Sequence, residues 1–262
     1  MPTCYRHPRR ETGVSCSNCG NPICPDCMTP TTVGMRCPDC ARQRTPVRTL
    51  RSMAVEPVAT YVLIAINVVV YLGARTAARG YADLSLSKTG VADGQVWRLV
   101  TNGFMHDPSN IFHLLLNMYA LFWLGRMIEP ALGHARFLGI YFASLLTGSL
   151  GVLLLEPNAQ AVGASGAIFG LFGASLVMAR NRNISLVQTG LLPVLALNLI
   201  ITFLPGSHIA YGAHLGGLLG GLVAAFAVEE IARRGRASLV PGVAFCVLLS
   251  AAAFAGSILA AG

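Results

Sequence analysis

From about residue 57 onward the chain is a succession of apolar runs separated by short polar or glycine-rich breaks. Runs of roughly twenty residues with few charges have the length a helix needs to cross a bilayer core. The pattern predicts seven such spans, at 57–74, 111–129, 134–155, 163–180, 185–204, 207–229 and 238–260. Between the first two lies a polar stretch reaching about Asn110, with Trp97-Arg98 and several turn residues. It is too long for a simple turn and is expected to pack on the membrane surface. Residues before 57 hold no apolar run. They divide into a polar, cysteine-rich segment, 1–45, and a short basic linker, 46–56, with Arg48 and Arg51. The fold class is therefore an all-α polytopic membrane protein with a small N-terminal module.

Composition supports the membrane assignment. The 262 residues are 54% hydrophobic and only 11% charged, whereas soluble domains carry roughly 25% charged residues. The net charge of +8 comes from arginine, Lys88 being the single lysine. Much of it sits at the N-terminus and between spans, which suits topology signals and anionic headgroups rather than nucleic acid. With the N-terminus in the cytoplasm, the inner segments hold Arg42, Arg44, Arg48, Arg51, Arg126, Arg136, Arg180, Arg182, Arg233, Arg234 and Arg236. The outer segments hold only Arg75, Arg79, Lys88 and Arg98, all in the first long loop. The expected topology is N-terminus in and C-terminus out, in a plasma membrane. An arginine-rich, lysine-poor composition fits a bacterial source.

Polar groups inside the spans carry the candidate chemistry. In the stretch 162–173, Gly166, Gly170 and Gly173 recur at helical spacing and leave one face bare for a neighbouring helix. Ser165 stands at the start of that helix, among free N–H groups and the positive end of the dipole. His113 and Asn117 are four apart and share a face of the second span. His214 lies in the glycine-rich run 211–221 of the sixth. Intramembrane histidine is costly and points to function. All four groups fall early in spans that run from outside to inside, so they share the outer half of the bilayer. A serine hydroxyl needs a base, and histidine is the usual one. No Asp or Glu lies in these helices near that depth, so a Ser165–His214 dyad is expected rather than a triad. His113, Asn117 and the Ser165 N–H can stabilise an oxyanion, although for Asn117 alone interhelical hydrogen bonding is the simpler role.

The N-terminal segment carries Cys4-x-x-His7, Cys16-x-x-Cys19, Cys24-x-x-Cys27 and Cys37-x-x-Cys40. Eight ligands at this spacing make two tetrahedral zinc sites, each from two pairs. So short a segment lacks a core, and metal would supply most of its folding energy. A cytosolic location disfavours disulfides. The paired pattern resembles a B-box-type zinc finger. That resemblance implies interleaved ligation, with Cys4, His7, Cys24 and Cys27 at one site and Cys16, Cys19, Cys37 and Cys40 at the other. Spacing alone leaves sequential pairing open. A cytosolic protein is a candidate partner for the module.

Residues 57–230 resemble the rhomboid family of intramembrane serine proteases. The resemblance rests on Gly163-x-Ser165-Gly166, His113-x-x-x-Asn117, Ala213-His214-x-x-Gly217-x-x-x-Gly221, Trp97-Arg98 and Gly125-Arg126-x-x-Glu129. It implies a six-helix core, to which 231–262 would add a cytoplasmic loop and a seventh helix. Ser165 would be the nucleophile and His214 the general base. His113, Asn117 and backbone N–H groups, reached through the Gly163 motif, would form the oxyanion site. Transmembrane substrates would be cleaved near their outer end, with water reaching a recessed site. Phe169 stands where some members have a tyrosine packed on the catalytic histidine; the ring is kept and the hydroxyl lost. The alternative is an inactive rhomboid-like chaperone or adaptor, disfavoured because nucleophile and base are both present. A transporter would show repeated halves and charged pathway residues, and neither occurs.

Other groups draw structural expectations. His106 is expected to pack in the outer loop, His134 to sit at the cytoplasmic start of the third span, and His208 at an exposed helix start. Arg126 and Glu129, three apart, can pair with each other or with loop backbone. Trp97 and Arg98 read as interface anchors, with a structural role implied by the resemblance, and Cys246 as a small apolar residue.

Overall fold

The computed structural model describes residues 1–42, 55–76, 80–207, 209–234 and 238–262. Residues 46–54 of the linker, with Arg48 and Arg51, lie outside these, as do Arg44, Arg79, His208 and Arg236. The chain divides into two compact units, Met1–Ala54 and Val55–Gly262.

The first unit has a two-stranded antiparallel hairpin, β1 (Thr29–Thr31) and β2 (Gly34–Arg36). A short 3-10 turn, Pro25–Cys27, precedes it and helix α1 (Pro38–Arg42) follows. Its interior consists of Ile23 and six cysteines, with Tyr5 and Met28 packed against them. There is almost no hydrocarbon to bury, so the fold depends on whatever the sulfurs hold.

The second unit is helical. Apolar helices α2 (Val58–Thr76), α6 (Ile111–Leu132), α7 (His134–Leu155), α8 (Ser165–Asn181), α9 (Leu191–Thr202), α10 (Tyr211–Arg233) and α11 (Val240–Ala261) occupy the places of the seven predicted spans. Short helices α3 (Gly80–Leu84), α4 (Lys88–Ala92) and α5 (Arg98–Thr101) build the long loop between α2 and α6. Among the described residues five helices are long and apolar enough to cross a membrane: α2, α6, α7, α10 and α11. The protein is thus a multi-pass membrane protein. Helix α8, at 17 residues, is mostly buried among its neighbours. Helix α9 starts at Leu191 rather than 185 and has 12 residues, a rise of about 18 Å. The polar residues Ser185, Gln188 and Thr189 form turns before it, and Gly190 adopts φ +76°.

Backbone-to-backbone contact of α10 with α7 and α8 holds the centre together. A Cβ at Gly217 would run into the Gly166 carbonyl oxygen, and one at Gly221 into that of Gly170. Without side chains at these points the helices touch along their axes, the close approach that small residues permit in lipid. Helix α11 also packs on α7 and lays Cys246 beside Gly139. Its Ala253 and Ala261 join Leu86, Val91 and Leu99 of the long loop in one apolar cluster.

At the end of the bundle away from Ser165, Glu129 is fully buried. It accepts hydrogen bonds from Ala59 N (2.8 Å), Thr60 N (2.7 Å) and Thr60 Oγ1 (2.6 Å), capping the first turn of α2. His134 Nδ1 also reaches it. The Arg126–Glu129 pair is not formed: the Arg126 guanidinium lies over the Phe122 ring, 5.0 Å from its centroid. Nor is loop backbone the partner: Glu129 takes amides of a helix, α2. Glu129→Ala removes one charged acceptor from three donors and is expected to lower stability by about 2 kcal/mol or more. Thermal unfolding in detergent would reveal it, and an unchanged midpoint would contradict the capping role.

Candidate active site and metal centres

The starts of α6, α8 and α10 lie at one end of the bundle. The segment leading into α8 is held by the long loop. Leu86 and Ala161 exchange both backbone hydrogen bonds at 2.9 Å, and Gly163 N donates to Asn102 O at 2.9 Å. Asn102 is tied in turn through its Nδ2 to Ser149 Oγ (3.0 Å) and to the Arg98 carbonyl (2.6 Å). Arg98 is buried, so it is not an interface anchor, and the structural role is the one its contacts fit. It donates to Gln95 Oε1 and to the carbonyls of Ala82 and Ser85, so it organises the loop from inside. Trp97 is exposed, its Nε1 on Asp83 O at 3.3 Å.

Gly163 has φ +121°, a conformation that an L side chain rarely adopts. Space demands glycine there as well: a Cβ would lie 2.8 Å from His113 Nε2 and 3.6 Å from Ser165 Oγ. The imidazole and the hydroxyl therefore converge on bare backbone at the first turn of α8, where amide N–H groups are free. Ile168 is the residue whose N–H returns to Ala164 and starts the helical ladder.

His214 is buried on the facing helix. Its ring stacks on Phe169 with centroids 4.0 Å apart and planes at 16°. Phe169 is one turn beyond Ser165 on the same face of α8, so the base candidate packs one helical turn from the nucleophile candidate's position. No hydrogen bond joins them: among the described residues Ser165 Oγ has no partner. Phe169 is buried and its ring forms a wall for the imidazole. The first turn of α10 is capped from outside by Glu156 Oε2, which accepts from Gly212 N at 2.6 Å.

Asn117 Nδ2 donates to the His113 carbonyl at 2.8 Å. The bond lies within α6 and is not interhelical. An amide nitrogen has two hydrogens, and one stays available. His106 is fully buried in the loop, edge-on to His113 with centroids 5.0 Å apart, and neither ring nitrogen has a partner. Burial, with His113 as a lesser cause, pushes its pKa down to about 3, so this ring is neutral.

Two residues of the site carried no sequence signal. Asn102 receives the Gly163 N–H, and Thr202, the last residue of α9, places Oγ1 2.8 Å from His214 Nδ1. Both contacts join segments distant in the chain, and no local spacing betrays them.

In the first unit the ligand atoms of Cys4, His7, Cys24 and Cys27 lie within 4.8 Å of one another, as do those of Cys16, Cys19, Cys37 and Cys40. This is the interleaved grouping. All these cysteines are free thiols. A tetrahedral zinc with bonds of about 2.3 Å to sulfur separates its ligands by about 3.8 Å. Cys19 and Cys37 sulfurs are 3.8 Å apart, and His7 Nδ1 lies 3.3–3.8 Å from its three sulfurs. The donors fit a four-coordinate ion. The Cys37 N–H aimed at Cys16 Sγ at 3.3 Å lowers that thiol to about 6, favouring the thiolate that ligates.

Fold and site together define a polytopic helical membrane protein whose polar groups meet at one end of the bundle. Residues 93–230 match the rhomboid domain family model. The chain belongs to the rhomboid family. It is 40% identical over 150 residues to YdcA of Bacillus subtilis, provisionally named a rhomboid protease, covering 55% of this chain and 74% of that one. It is 37% identical over 186 residues to the rhomboid protease GluP of the same organism, covering 66% of this chain and 35% of GluP. Inactive RHOMBOID-like protein 8 of Arabidopsis thaliana is 33% identical over 130 residues, 48% of this chain and 36% of that one. The chain thus spans about three quarters of YdcA but about a third of each of the other two.

Proposed function

We propose that this protein is an intramembrane serine endopeptidase acting on transmembrane protein substrates through a Ser165–His214 dyad. Ser165 Oγ attacks the scissile carbonyl as His214 Nε2 takes its proton, and the oxyanion is received by His113, Asn117 and the Ser165 N–H, the Gly163 N–H being held by Asn102 O. Collapse of the tetrahedral adduct breaks the C–N bond, and His214 returns the proton to the leaving amine. Water then repeats the cycle on the acyl-enzyme and frees Ser165. The observation that carries this reading is the stack of His214 on Phe169, one turn along from Ser165, at a helix start where His113 Nε2 and Ser165 Oγ converge on Gly163. A hydroxyl not yet bonded to its base is common without substrate, since such bonds tighten on binding.

The arginine bias supports a cytoplasmic N-terminus, which puts the site in the outer half of a bacterial plasma membrane. The first unit holds two structural zinc ions and offers a surface for a cytosolic protein. Residues 1–45, 46–56, 57–230 and 231–262 then serve as zinc module, linker, proteolytic core and added helix. The test is a fluorophosphonate probe on the purified full-length chain. Labelling of the parent and none of Ser165→Ala is expected. An unlabelled, folded parent would favour an inactive membrane adaptor.

A further inference from the structure

The Nδ1 side of His214 faces a group that the dyad does not use. Thr202 Oγ1 lies 2.8 Å from His214 Nδ1, and both residues are buried, at 3% and 6% exposure. Thr202 has one hydroxyl hydrogen, and it is committed elsewhere: Oγ1 donates to the Asn198 carbonyl at 2.7 Å. A carbonyl can only accept, so towards His214 the threonine oxygen must be the acceptor. Nδ1 then carries the proton, and in the neutral ring Nε2 keeps its lone pair. The Thr202 carbonyl is held too, by Ser207 Oγ at 3.0 Å. With Phe169 stacked on the ring face, the imidazole is fixed by one face contact and one edge bond.

We propose that Thr202 is a positioning residue: it holds His214 in the Nδ1–H tautomer and ties the base to the end of α9. The inference rests on the reading of His214 as the general base, which needs an unprotonated Nε2 facing the serine. Thr202 also stands at Nδ1 where a triad would place a carboxylate, the nearby Glu156 being engaged with Gly212 N. A neutral acceptor fixes the tautomer as an acidic one would, without putting a second ionisable group into lipid. The α9 residues buried in the bundle are Leu191, Leu195 and Thr202. Any displacement of that helix end would therefore act on the imidazole directly.

The experiment is nitrogen NMR on the 15N-histidine-labelled full-length chain in bilayers, in the Ser165→Ala background, with the His214 signal assigned by its loss in His214→Ala. Nδ1 protonated and Nε2 unprotonated is expected in the parent and in Thr202→Ser, which keeps the oxygen. Thr202→Val should shift His214 towards the Nε2–H tautomer. In the Ser165 enzyme, Thr202→Val should lower kcat about tenfold or more with KM little changed, and Thr202→Ser should recover most of it. A parent ring protonated at Nε2 overturns the proposal, even should the valine variant not fold. So does a serine variant that behaves as valine does. The spectrum reports the ring without turnover. A failed tautomer response therefore sinks this proposal alone, and a folded parent that takes no fluorophosphonate sinks the dyad instead.

Discussion

Ser165→Ala is expected to abolish hydrolysis of a transmembrane substrate in reconstituted bilayers, by about 10⁴-fold or more. The argument is one of roles. Without Oγ there is no acyl-enzyme, and His113 and the first-turn N–H groups are left around a carbonyl that nothing attacks. His214→Ala should fall to the same floor, because the hydroxyl is a weak nucleophile without a base. The double variant should then be no slower than either single one, since groups that act as a unit do not add. Product formed per hour by parent and variants decides the matter. A Ser165→Ala protein cleaving at the parental rate would refute the peptidase reading. The stack on Phe169 should survive in Ser165→Ala, so its melting temperature should match the parent's.

Removal of metal should have the second large effect, confined to the first unit. Zinc binding to small modules contributes about 10–16 kcal/mol, far more than burial of Ile23 and a partly covered Tyr5 and Met28 can replace. Elemental analysis of the purified full-length chain should find two zinc ions per molecule. After chelation, limited proteolysis should cut within 1–54 and leave 55–262 resistant. Cys24→Ser should lose the ion of the site with Cys4, His7 and Cys27 and keep the other, which follows from interleaved grouping. A chelated first unit as resistant as the parent would refute the structural role. Loss of both ions together in Cys24→Ser would show that the two sites fold as one.

Much of the architecture could be read from the sequence because the signals are local. Twenty apolar residues in a row state a membrane helix wherever they occur, and all seven predicted spans have a helix in their place. Paired cysteines state a metal module, and a serine at a glycine-spaced helix start states its own electrostatics. Length was less secure where polar residues trimmed a run, as at α9, whose first turns are lost to Ser185, Gln188 and Thr189.

What escaped the sequence were contacts between distant segments. Arg98 was legible as a charge at the edge of the membrane, and only folding turned it inward onto the carbonyls of Ala82 and Ser85. Arg126 and Glu129 have the spacing of a pair, yet the amides of α2 took the carboxylate and an aromatic ring took the guanidinium. Asn117 could have bonded across helices, but the carbonyl of His113 one turn back was nearer. Sequence by itself determined where the apolar helices lie and which residue types could do chemistry, since these depend on each segment's own hydrophobicity and hydrogen bonds. Tertiary structure decided who meets whom: Thr202 at His214, Asn102 at Gly163, Glu156 at the start of α10. Those choices depend on how glycine-bared helices slide together, a property of surfaces rather than of any single stretch of chain.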